Sequence, residues 1–203
     1  MRALAALSLI LLAACVTAPA PPPAPAPQAE PEPTNPALAA ELRAMIDADQ
    51  EVRRRWIKDR TNASIQAEME ALSKQQVARL QQIVDQHGWP GKTLAGVKGG
   101  GAAWTIAQHG GPDFLGRMLP LMYEAVKKGE LEEALYATSL DRVLVNRGQK
   151  QMYGTQFDTD PATGKCEPKP IDDPERVDER RLRAGMGTLA EYREQLCKLY
   201  LGK

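Results

Sequence analysis

The sequence predicts a mainly α-helical, multi-helix single domain with one small β-hairpin. Three observations carry this reading. Apolar residues recur at three- and four-residue spacing through most of the chain after residue 36. Cap residues and glycines punctuate those stretches as helix starts and stops. One segment, from Gln151 to Ile171, alternates and turns instead.

The elements follow in chain order. Residues 1–14 read as a lipoprotein signal peptide. Arg2 gives a positive start, Ala3 to Ala14 is apolar or small apart from Ser8, and Leu12-Ala13-Ala14-Cys15 resembles a bacterial lipobox. The run is shorter than the ~20 residues a membrane-spanning helix needs. Cys15 is then the lipidation site, with acyl chains, palmitate among them, as a stable membrane anchor. Val16, in place of an aspartate, favours the outer membrane, so the expected location is the outer membrane, facing the periplasm. Residues 15–36 form the lipidated cysteine and a Pro-rich linker that prefers extended polyproline II. Residues 37–203 form the helical periplasmic domain.

Within that domain, Asn35-Pro36 is an N-cap followed by a first-position proline. Leu38, Leu42, Met45, Ile46, Asp49, Val52 and Trp56 then share one helix face. Asp49 is unusual on that apolar stripe, with Gln50 and Arg53 beside it. Asn62 to Leu72 is a weaker helix, and Ser73 with Gln76 reads as a capping box opening another that ends at Gly88. Gly88 to Gly101 reads as a glycine-rich connection with a hinge at Gly99-Gly100-Gly101. Ala102 to His109 is a short apolar helix. Phe114 to Val126 is an amphipathic helix containing Pro120, which should kink it, and Leu131 to Asn146 is another. Gln151 to Phe157 and Lys165 to Ile171 are the hairpin strands. A helix from Asp173-Pro174 to Gly185 follows, and a last one opens with the Thr188/Glu191 capping box.

Composition narrows the chemistry. Lys and Arg number 26 and Asp and Glu 26, so no basic excess is available to hold nucleic acid. Aromatics make up 5%, too few for a large carbohydrate-stacking surface. Cys166 and Cys197 invite a disulfide in an oxidising compartment, with two buried thiols as the alternative. Its loop-entropy contribution would be ~3–4 kcal/mol.

Several motifs fail on spacing. Gly91-Lys92-Thr93 ends like a phosphate-binding loop, but Gln86 stands where the first glycine belongs. Asp158, Asp160 and Gly164 begin like a calcium loop, but the twelfth position is Lys169. Two histidines without spaced carboxylates or cysteines argue against a metal site, and no cofactor is implied. His87 reads as a helix C-terminal cap. His109 has Asp113 four residues on, and Asp113 or Asp141 could orient it as a general base. Asp141-Arg142 otherwise reads as a packing ion pair. Gln108, His109, Arg142, Gln151, Tyr153 and Gln156 are candidate ligand-binding groups; they could equally form a buried structural network.

Asp49-Gln50 with Arg53, Gly88-Trp89-Pro90, Gln108-His109, Asp141-Arg142, Gln151 with Tyr153-Gly154-Thr155-Gln156, and Arg180-Arg181 occur in that order. Together these blocks resemble an uncharacterised bacterial family, a domain of unknown function, over Leu38 to Tyr192. The resemblance implies that these polar residues belong together and brings no reaction with it. Gly110-Gly111 departs from the Ala-Asp expected after the histidine. The expected function is therefore an anchored envelope lipoprotein whose domain binds a small polar ligand or a protein partner. The alternative is a hydrolase-like enzyme using His109 as base with Asp113 or Asp141.

Overall fold

A computed structural model describes residues 32–202. The signal peptide, Cys15 and most of the linker lie outside them. The chain is mainly α, with seven α-helices and one two-stranded antiparallel hairpin among the described residues. No helix among them is long and apolar enough to cross a membrane.

Helix α1, Pro36–Lys58, starts where the Asn35 side chain accepts the Leu38 N–H, 3.1 Å away. The cap satisfies one of the first-turn donors, and Pro36 loses nothing by lacking one. Helix α2, Ala63–His87, is a single helix. Its cap is Asn62, which accepts the Ser64 and Ile65 N–H groups, and Ser73 lies inside it. The expected break at Ser73 is absent because Leu72, Gln76, Leu80 and Ile83 continue the inward face across it. Gly88, at φ 74°, ends it.

Helix α3, Lys92–His109, takes in most of the segment expected as a connection. Its regular geometry breaks only at Gly96, φ 71° and ψ 168°. Gly99 is not a hinge: a Cβ there would lie 2.9 Å from Ala95 Cβ and 3.4 Å from Ala39 Cα. Its missing side chain lets α3 lie close against α1. At the start of α3, the Glu130 carboxylate accepts the Thr93 N–H at 2.8 Å and the Thr93 hydroxyl at 2.6 Å. The protein's own carboxylate thus fills the place a phosphate would take.

Helix α4, Pro112–Lys127, runs without interruption through Pro120, and α5 spans Glu133–Asn146. The core lies among these five helices. Leu42, Leu80, Ile83, Ala103, Ile106, Leu115 and Met122 belong to it. Each large apolar side chain there contributes about 1.5–3 kcal/mol by leaving water.

The hairpin pairs β1, Phe157–Asp160, with β2, Lys165–Pro168. Its first strand begins where the sequence pattern placed the end of that strand. Met152 to Thr155 leave the ladder, because the N–H groups of Met152, Tyr153 and Thr155 are engaged elsewhere, as described below, while Gln151 meets Ile171 only in an isolated parallel bridge. Helices α6, Val177–Arg183, and α7, Leu189–Leu201, close the chain. Thr188 and Glu191 form a reciprocal capping box at α7. A Cys166–Cys197 disulfide ties β2 to α7.

Candidate functional site

Two buried aspartates organise the polar groups of this domain. The first is Asp49, 1% exposed. Leu38, Leu42, Asp49 and Val52 are all buried on α1, so the helix period itself carries the acid inward. Arg53, one turn on, sends Nε to both carboxylate oxygens, at 3.0 and 2.9 Å. Gln50 donates Nε2–H to Oδ2 at 3.0 Å.

His109 arrives from the end of α3, and its Nδ1 lies 2.9 Å from Asp49 Oδ2. Both atoms are buried, so the two groups are in close polar contact. Burial pushes the Asp49 carboxyl up. His109 and Arg53 together outweigh burial and hold it below its ordinary value. Gly110 lets the chain turn away tightly after His109. A Cβ there would lie 2.7 Å from Phe114 Cδ1 and 2.8 Å from Val77 Cγ2.

His109 also borders a cleft of about 440 Å³ lined by Arg53, Met69, Glu70, Ser73, Lys74 and Val77. That volume falls within the range of small-molecule sites. Nε2 of His109 has no hydrogen-bond partner among the described residues and is not sealed from solvent. A larger groove of about 640 Å³ lies between α1 and α2, lined by Ala44, Met45, Ala48 and Leu72. Its rim charges, Glu41 and Arg79, pair with each other, so its lining carries no unpaired charge among the described residues.

The second aspartate is Asp141 on α5, fully buried. It accepts the N–H of Met152 at 2.7 Å, of Tyr153 at 3.1 Å and of Thr155 at 3.0 Å, and the Thr155 hydroxyl at 3.0 Å. Burial raises its carboxyl above the ordinary value, against the pull of these donors. Gln151, also fully buried, donates Nε2–H to the carbonyls of Gln156 and Lys169 and accepts the Gln156 N–H. Arg181 donates to the carbonyls of Gly187 and Tyr153, both at 2.7 Å, and stacks over Tyr192. Arg180 donates to the Met152, Asp172 and Asp173 carbonyls.

The structure therefore separates the residues that the sequence grouped. The carboxylate beside His109 is Asp49. Asp141 is enclosed by the 152–155 backbone, and Asp113 is exposed in the first turn of α4. The Asp141-Arg142 ion pair does not form: Asp141 is engaged by backbone, and Arg142 Nε is buried with no hydrogen-bond partner among the described residues. Gln108 donates to Ser139 Oγ at 2.6 Å, which also accepts the Trp104 indole N–H. Gln108, Arg142, Gln151, Tyr153 and Gln156 do not line the His109 cleft. Asp49 and Arg53 carried a visible signal, an acid on an apolar stripe with a cation one turn later. Ser73 and Lys74 carried none.

Among the described residues no three His, Cys, Asp or Glu side chains gather as metal ligands. Asp158 is paired with Lys169 and Lys165, and Asp160 caps the following turn through Ala162 and Thr163. No curated protein and no solved structure matches this chain. The family model that does match covers residues 36–203, the whole helical domain, and the chain accordingly belongs to a family of unknown function, DUF6624.

Proposed function

We propose that this is a lipid-anchored envelope protein whose helical domain binds a small polar ligand in the cleft at His109. One observation carries the binding assignment. A buried carboxylate faces Nδ1 of a histidine that also lines a cleft of suitable size. A carboxylate at Nδ1 favours the tautomer protonated there, which leaves Nε2 as a hydrogen-bond acceptor. The lipobox-like Leu12-Ala13-Ala14-Cys15 supports the anchor, and the Cys166–Cys197 bridge suits an oxidising compartment.

The test is thermal unfolding of the full chain in detergent, native against His109→Ala, across a panel of polar metabolites. The native protein should show a ligand-induced shift that the variant loses. A panel that shifts neither form contradicts the binding role. The anchor is tested separately: Cys15→Ala should abolish acylation and membrane association, and unchanged association defeats that part.

The same Asp49–His109 pairing favours a second reading, in which His109 is a general base oriented by Asp49. Hydrolysis of small esters that is lost in His109→Ala and reduced in Asp49→Asn would support it. Equal rates in all three forms would remove it.

A further inference from the structure

We infer that the ligand of this cleft carries an oxyanion, a carboxylate or phosphate group, held by the outer edge of Arg53 together with Lys74. This rests on the reading of the cleft as a ligand site. Arg53 presents two faces. Its Nε is committed to Asp49. Its terminal nitrogens are not: Nη1 meets only the Met69 sulfur, 3.7 Å away, and Nη2 has no partner among the described residues. A thioether is a weak acceptor, so the strong donors of the fork are left unused. The side chain is 25% exposed, and both Arg53 and Met69 line the cleft.

Lys74, on α2, lines the same cleft and forms no ion pair among the described residues. Ser73 adds a hydroxyl with no hydrogen-bond partner among them. The acid on this rim is Glu70, whose carboxylate already accepts a hydrogen bond from Gln66 at 3.0 Å. The charge of Asp49 sits behind the guanidinium, buried and engaged by Arg53 and Gln50. The cleft is thus lined with unused donors while its innermost negative charge is shielded. A guanidinium edge matches the two oxygens of a carboxylate or phosphate.

The experiment is a calorimetric titration of the full chain in detergent with inorganic phosphate, with acetate and with glycerol as the neutral control. Native protein is compared with Lys74→Gln and Arg53→Lys. Lys74 is exposed and unpaired, so its replacement leaves the fold intact. Arg53→Lys keeps a cation beside Asp49 and loses the fork. Phosphate or acetate should bind the native protein, about three- to tenfold more weakly after Lys74→Gln and at least tenfold more weakly after Arg53→Lys. Binding of phosphate alone identifies a phosphate group, and binding of acetate alone a carboxylate.

Anion binding that is equal in all three proteins places the anion elsewhere and overturns the inference. So does a neutral metabolite that binds in a His109-dependent way while neither anion binds; the ligand site itself then stands. Absence of binding by the anions and by the whole metabolite panel overturns both.

Discussion

Asp49 and Asp141 are both buried carboxylates on helices, and their surroundings make them opposites. Asp141 is ringed by the N–H groups of Met152, Tyr153 and Thr155, whose chain it wraps around itself. Asp49 is held by side chains, from Arg53, Gln50 and His109, and two of these also face a cleft. Backbone donors cannot move without unfolding the loop, whereas side chains can exchange partners. The comparison teaches that burial alone does not mark a site; what matters is whether the groups around the buried charge have a second, open face.

The strongest way to break this contrast is Asp141→Ala. It strands the N–H groups of Met152, Tyr153 and Thr155, the last of them buried, and should cost about 3–5 kcal/mol, read by urea unfolding. A cost under 1 kcal/mol would show that the 152–155 loop folds without its anchor. Reducing the Cys166–Cys197 bridge acts on the same region and should cost ~3–4 kcal/mol, measured as the shift in urea midpoint with reductant. Asp49→Asn should be milder, about 1–3 kcal/mol, because Arg53 keeps solvent contact and an amide oxygen can still accept. It should nevertheless abolish ligand binding if His109 depends on it.

The two acids should also respond to pH with opposite signs. The Asp49 carboxyl lies below its unfolded value, so its stabilisation is present above pH ~3.8 and is lost as pH falls through the folded value. The Asp141 carboxyl lies above its unfolded value, so its contribution declines as pH rises from ~3.8 through the folded value. Urea unfolding from pH 3 to 7 should therefore show less acid sensitivity in Asp49→Asn than in the native protein. In Asp141→Asn the acid sensitivity should be greater. The smallest expected effect is His109→Ala, under about 1 kcal/mol, because Asp49 retains Arg53 and Gln50.

Much of the fold was legible because its signals are local. Asn35-Pro36 and Thr188 with Glu191 fix the starts of α1 and α7 through bonds spanning three residues. The departures have non-local causes. Ser73 resembled a cap, but the inward stripe of α2 runs through it. Gly99 resembled a hinge, and only the approach of Ala39 from α1 shows why its side chain is missing. Gln151 to Phe157 had the alternation of a strand, yet the N–H groups of Met152, Tyr153 and Thr155 go to Asp141 on α5. The candidate site was half visible: Asp49 stood out on its apolar stripe, and His109 stood out by rarity. Their union depends on how α1 crosses α3, which no local pattern records.

The most direct test of the central claim is ¹⁵N NMR of the imidazole nitrogens at a pH where the rings are neutral. The chain has only two histidines, and His87→Gln assigns them. The account predicts that His109 carries its proton on Nδ1, that Nε2 is a bare acceptor, and that Asp49→Asn removes this preference. If His109 is protonated on Nε2, or has the same spectrum with and without the Asp49 carboxylate, then Asp49 does not hold His109 for the cleft, and the account is contradicted.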